Sequence, residues 1–402
     1  MSPANVADVL VIGGGLAGWR AAEAAVAAGC SVTLVANGSG NSPEIHALNV
    51  PVGPGDSVEL FIEDTLRSGQ GACDPALVEV LCRESVKLVE EFPFDRNADG
   101  SYKMIQPLGC SVPRCVSIDH KIGAWALARI KRALAGKVAV VKGRVTKIRS
   151  NYSLFTIHYS LGDDDASASA RSVVVATGGW CGKYDFSDNP PESRGDGIAL
   201  AQSLGAAVRD LDAVQYEPTV ALAPDRLRGI PVITTMLHEG ATFRNRLGEE
   251  FLPDKHANKD AISRAIRAEI EAGRGVPAQG APETCGVWYD AVGVPREILE
   301  TRYADTVRRY AACGIDITRE PMLVAPAPHT SLGGVVIDAR CRVLRAEGTP
   351  IPGLFAAGEV TGGVHGRNRV GGNAGTEVLV FGRIAGESAA RYAFDKRCRF
   401  WH

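Results

Sequence analysis

The 402-residue chain has no apolar run of about 18 residues or more, so no membrane-spanning helix is expected. Its short apolar stretch Val9–Ile12 lies near the N-terminus without a basic leader or cleavage site, and no secretory signal is expected either. Charge of neither sign dominates. Lys+Arg number 44 against Asp+Glu 46, a net charge of -2, which leaves no global field for nucleic acid or for insertion into an anionic membrane. The ten cysteines form no C-x-x-C pair, and Cys110 with Cys115 is a poor metal signature standing alone. No metal site, disulfide scaffold or iron–sulfur cluster of the chain's own is expected, and reduced thiols point to the cytoplasm. Internal repeats and low-complexity tracts are absent, and the tail Arg399–His402 reads as a frayed end. What is plentiful is glycine, 45 residues, which suits a backbone wrapped closely around a large ligand. The length allows two domains, each with its own core.

Asp8–Ile12 is a short apolar run ending at Gly13, as a buried parallel strand should be. Gly13-Gly14-Gly15-Leu16-Ala17-Gly18 follows, then an alanine-rich helical stretch Trp19–Ala28, a stop at Gly29, and a second strand at Ser31–Val35. This strand–helix–strand unit carries G-x-G-x-x-G in the place where it binds a dinucleotide. Gly13 makes the tight turn, Gly15 admits a pyrophosphate, Gly18 lets helix and strand pack, and the helix N-terminus attracts the anion. One element is missing: no acidic residue ends the second strand to hold a ribose, and Asn37 is the substitute on offer.

Two further glycine-rich strand ends occur, Arg171–Gly179 with Ala176-Thr177-Gly178-Gly179, and Gly353–Glu359 with Ala357-Gly358-Glu359. Single-Rossmann NAD dehydrogenases lack these, whereas flavoproteins of the two-dinucleotide-binding type have them. FAD is therefore the expected cofactor, with Glu359 near the ribityl and pyrophosphate. The cofactor set comprises Gly13, Gly15, Leu16, Ala17, Gly18, Asn37, Ala176, Thr177, Gly178, Asp196, Gly358, Glu359 and Asn373. From about Ala213 to Met322 the texture changes. Asp260–Gly273 and Arg296–Cys313 are charged amphipathic helix patterns, flanked by Gly/Pro-rich junctions. The fold class expected is α/β: a Rossmann-type FAD domain (1–212, closed by 323–402) with an inserted α+β capping domain (213–322).

The segment Ile351–Asn373, continued by Val380–Gly386, and its upstream companion His329–Val335 closely resemble the flavoprotein family of fumarate reductase, succinate dehydrogenase and L-aspartate oxidase. Glu63–Asp74 resembles L-aspartate oxidase, and Phe251–Ile270 a capping-domain helix of succinate dehydrogenase. The resemblance implies hydride transfer between flavin N5 and a CH–CH or CH–NH group of a small carboxylic acid. A separate iron–sulfur or ferredoxin-like protein would exchange the electrons. It also leaves open an L-aspartate oxidase-like amine oxidase and a catalytically silent FAD electron relay. By the resemblance, Arg369 is the carboxylate-binding arginine (Arg367 competing), His329 the substrate histidine and Thr234 a substrate contact.

Two positions depart from the family pattern. Ala257-Asn258-Lys259-Asp260 has Lys259 in place of the proton-shuttling arginine, with Arg264 as an alternative one turn on. In Gln215-Tyr216-Glu217-Pro218-Thr219, Glu217 replaces a histidine that holds a carboxylate. An ionised Glu217 would repel that carboxylate in a pocket of low dielectric. Either the substrate carries a hydroxyl, amine or neutral group there, or Glu217 is protonated. Pro43 falls at the position of covalent flavin attachment, with His46 a turn late, so non-covalent FAD is expected. No counterpart of the family's C-terminal helical domain follows the closing helix, and a different docking mode for an iron–sulfur partner is expected.

Overall fold

The computed structural model describes residues 6–399 apart from 108, 120, 152, 153, 163, 256 and 280. Most of the expected frayed tail thus lies outside the described residues. The chain divides into two compact units, one made of Met1–Trp180, Glu192–Val214 and Ser331–His402, the other of Cys181–Pro191 and Gln215–Thr330. The short segment 181–191, expected in the FAD domain, belongs to the second unit.

In the first unit the strand Ala7–Ile12 is buried along its whole length. Such a strand needs cover on both faces, which a parallel sheet under helices provides. It pairs in parallel with Val32–Ala36 on one side and Asp164–Val175 on the other. Val138–Lys142 extends the sheet beyond the former and Pro350–Ala356 beyond the latter, both in parallel. The strand completing this Rossmann-type sheet therefore comes from late in the chain. An antiparallel hairpin, Arg144–Ser150 with Phe155–Leu161, leans on Asp164–Val175. Helix Leu16–Ala27 packs on the closing helix Asn373–Arg399 with little space between backbones. A Cβ on Gly382 would lie 2.7 Å from the Ala17 carbonyl oxygen, and one on Gly386 2.2 Å from that of Ala21. The closing helix is also tied by charge: Arg397 and Arg171 both pair with the buried Asp8, which Ser31 hydrogen-bonds as well. Burial alone would push the Asp8 carboxyl up, but Arg397 and the hydrogen bonds from Ser31 outweigh it and hold it below the usual range.

The second unit is built on a sheet in the order Val214–Ala221, Met322–Ser331, Ala281–Asp290 and Thr242–Arg244, with Val276–Ala278 paired to Ala281–Asp290. Its core gathers Phe243, Tyr289, Ile262, Ile266, Tyr303 and Tyr310. The helix expected at Asp260–Gly273 runs Lys259–Glu269, its start set by Asn258, whose side chain accepts from Ala261 N. Arg296–Cys313, expected as one helix, is two, Arg296–Thr301 and Ala304–Ala311. Between them Tyr303 leaves helical geometry and buries its ring in the core. Among the described residues no helix is long and apolar enough to cross a membrane, and no cluster of His, Cys, Asp or Glu is placed to hold a metal.

Candidate active site

The glycine motif forms a turn that only glycine can make. Gly13 has φ +122°, and a Cβ there would lie 2.1 Å from the Ala176 carbonyl oxygen; a Cβ on Gly18 would lie 2.1 Å from that of Gly13. The helix start at Gly15 has no side-chain cap of its own, and Ser42 Oγ accepts from Leu16 N at 2.8 Å. Gly15 opens the helix in extended geometry, so its first turn carries donors and no acidic side chain, an arrangement that favours a pyrophosphate.

The second strand end adds space and an unanswered hydroxyl. Gly178 has φ +75° with nothing within 4 Å of a built Cβ, and Thr177 Oγ1 is buried without a hydrogen-bond partner among the described residues. The third strand end brings Glu359, whose Oε1 accepts from Ser331 N and Oγ, each at 2.9 Å, so its carboxylate is fixed against Gly179. This cradle fits a dinucleotide. Two of the expected cofactor residues make other bonds here, and a third is exposed. Asn373 starts the closing helix, and its side chain is taken by Asn49 and Thr65. Asp196 is forked by Arg144 at 2.8 and 2.9 Å. Asn37 is exposed after the second strand.

Arg369 lies in the same unit, half-buried, with Nη1 donating to Val370 O at 3.3 Å. Its competitor Arg367 is exposed and engaged by Asp212 at 2.9 Å.

In the second unit, Gln215, Glu217 and Thr219 alternate onto one buried face of their strand, and His329 is on the neighbouring strand. Lys259, the first residue of its helix, donates from Nζ to Glu217 Oε2. Thr234 Oγ1 donates to Glu217 Oε1 at 3.0 Å and is itself 2.6 Å from Thr219 Oγ1. Tyr289 donates its hydroxyl to Thr234 O at 3.0 Å, pinning that turn. Burial pushes the Glu217 carboxyl up, yet the charges of Lys259 and His329 and the bonds from Lys259 and Thr234 bring it below the ordinary value. The acid is not bare: the two departures from the family pattern are each other's partners, and the pairing favours its ionised form. Arg264 is turned outward, 62% exposed and paired with Asp260 at 2.7 Å, so of the two cations only Lys259 reaches Glu217.

Sequence reasoning passed over Asp188. Its Oδ2 lies 2.6 Å from His329 Nδ1, and the acid is 2% exposed. The two residues are 141 positions apart, and nothing in Ser187-Asp188-Asn189-Pro190 distinguishes it from a turn. Ser331, which fixes Glu359, lies within the family-like segment His329–Val335, where the residue types alone give it no role.

A family pattern described as an FAD binding domain matches residues 8–374. One component of the CoM/CoB fumarate reductase of Methanothermobacter marburgensis is 34% identical over 98% of this chain and 74% of its own length. The L-aspartate oxidase of Mycobacterium tuberculosis is 33% identical over 97% and 74%. The chain belongs to the flavoprotein family of fumarate reductase, succinate dehydrogenase and L-aspartate oxidase. Among solved structures, the FrdA chain of Escherichia coli quinol fumarate reductase superposes with a TM-score of 0.86 at 26% identity, covering 96% of this chain and 70% of that one. This member of the family is an FAD-dependent oxidoreductase. Pro43 lies in the short turn Ser42–Glu44, and a proline has no side-chain atom that could bond to flavin. Acid precipitation is expected to leave yellow FAD in the supernatant; flavin retained on the polypeptide would implicate His46.

Proposed function

We propose that the protein moves hydride between flavin and a CH–CH or CH–NH group of a small carboxylic acid, exchanging electrons with a separate iron–sulfur or other redox protein in the cytoplasm. The observation that carries this reading is the Lys259–Glu217 pair. A silent electron relay has no use for a lysine held against a buried acid, whereas proton transfer does. Among the nine cysteines with described side chains no disulfide is formed, which supports a reducing compartment.

A bound FAD supplies hydride exchange at N5. Arg369 presents a planar fork to a substrate carboxylate, polarising the adjoining bond while fixing its position. Lys259 Nζ carries the proton for the neighbouring substrate atom. Glu217 Oε2 accepts from Nζ, compensating its charge, and the hydrogen bond from Thr234 keeps that carboxylate in register. His329, with its ring held by Asp188, provides a second polar contact to substrate.

With Glu217 in place of a histidine, this cluster offers a second carboxylate no donor from that position. The expected substrate is an enoate with a neutral, hydroxylated or cationic group there rather than a C4 dicarboxylate. Glu217→His returns a donor and releases the charge of Lys259, and both changes favour dicarboxylates. In a dye-linked assay of fumarate, succinate, L-aspartate and monocarboxylic enoates, the substitution should raise the dicarboxylate-to-monocarboxylate ratio of kcat/KM by about tenfold. Brisk wild-type fumarate reduction, unchanged by the substitution, would take Glu217 out of the substrate pocket.

A second reading is an amine oxidase acting on an amino acid. It is supported by the L-aspartate oxidase relatives. Peroxide formed from L-aspartate in the same panel would select it. Full flavin content with no turnover of any substrate would return the protein to an electron relay.

A further inference from the structure

His329 is held at two points by one three-residue segment. Ser187 Oγ donates to Pro328 O at 2.8 Å and accepts from Asn189 N at 3.1 Å. Asn189 Nδ2 uses one proton on His329 O at 2.7 Å and the other on Asp188 Oδ1 at 2.9 Å. Both of those oxygens only accept, so the orientation of the Asn189 amide is fixed by chemistry. With Oδ1 so engaged, Asp188 turns Oδ2 to His329 Nδ1. A carboxylate accepts and does not donate, so Nδ1 must carry a proton.

We propose that Asp188 is a positioning residue: it locks the His329 ring with a proton on Nδ1, so that Nε2 is the atom turned to substrate and, in the neutral ring, a lone-pair acceptor. The assignment deepens the proposed function, since it rests on His329 facing substrate. The charged groups bearing on the ring are Asp188 from segment 181–191 and Glu217 from the adjacent strand, the latter already matched by Lys259. A neutral ring in this state pairs with a hydroxyl or ammonium donor, and it meets a carboxylate only when doubly protonated. The substrate class that fits the neutral ring is a carboxylic acid bearing an O–H or N–H donor beside the reacting carbon, whereas an unsubstituted dicarboxylate fits only the doubly protonated ring.

The lock can be read without any substrate. In protein labelled with ¹⁵N in its histidine rings, the His329 signals are assigned by their loss in His329→Gln. At alkaline pH, where rings are neutral, the wild type should show the proton on Nδ1. In Asp188→Asn the amide oxygen stays with Asn189 and the amide nitrogen faces Nδ1, so the major tautomer should switch to Nε2–H. That variant should keep its FAD and lose at least about tenfold in kcat/KM on a hydroxy- or amino-acid substrate, because a wrongly placed ring proton costs up to ~10⁴-fold in comparable Asp–His pairs. A wild-type ring protonated on Nε2, or a tautomer indifferent to Asp188→Asn, overturns the proposal. The wild-type spectrum alone decides the first of these even where the variant does not fold. A correct tautomer in a protein that turns over no carboxylic acid would instead overturn the proposed function and leave the lock standing.

Discussion

Lys259→Met is expected to cut turnover by about 10²–10⁴-fold, the usual contribution of a positioned proton-transfer group. The same change strips the buried Glu217 of its counter-charge. Breaking a buried pair from one side costs about 3–5 kcal/mol, because an uncompensated charge is left behind. A loss of activity could then be mistaken for a loss of fold. The double variant Lys259→Met/Glu217→Gln separates the two effects: with both charges gone, thermal stability should return to near the wild-type value while turnover stays low. Recovery of activity in the double variant would show that Lys259 acts only as a counter-ion to Glu217. Lys259→Arg should retain part of the turnover, since a cation remains at the helix start, although the guanidinium releases its proton less readily.

Arg369→Lys should lose about 10²-fold or more in kcat/KM, roughly 3 kcal/mol, with FAD content unchanged. The charge survives in this variant. What goes is the planar five-donor fork, which the two oxygens of a carboxylate can engage together and a rotating ammonium cannot. Arg367→Lys is the control. Arg367 is exposed and turned to Asp212, so its replacement should leave kinetics within about twofold, in line with the small worth of surface pairs. Equal effects at the two positions would mean that Arg369 does not hold substrate.

The dinucleotide cradle was legible in the sequence because its requirements are local. Gly13 and Gly18 are places where a Cβ would strike backbone 2.1 Å away, and such prohibitions show as glycine whatever the rest of the chain does. The paired chemistry of the second unit was legible only in halves. Glu217 and Lys259 each stood out as a departure from a resemblance, but they are 42 residues apart, and sequence spacing carries no sign that one compensates the other. Read singly, Glu217 predicted repulsion; read with its partner, it predicts a matched site with a missing donor. Asp188 left no trace, because a turn-forming Ser-Asp-Asn-Pro looks the same whether its acid faces water or a histidine ring. The break at Tyr303 was hidden for a related reason. Amphipathic periodicity runs through Arg296–Cys313, and what interrupts the helix is the burial of one aromatic ring in the core.

The order in which the chain leaves the ribosome bears on when it can become yellow. The strand Ala7–Ile12 emerges first, yet its neighbour Asp164–Val175 receives its far-side partner only with Pro350–Ala356. The ion pair closing the unit joins Asp8 to Arg397, 389 residues later. The intervening residues 215–330 form a compact unit with its own core, free to fold while the earlier segment waits with an unpaired sheet edge. The sheet of the FAD unit thus gains this last partner only after residues 215–330 have been made, so a finished second unit can precede a finished cofactor cradle.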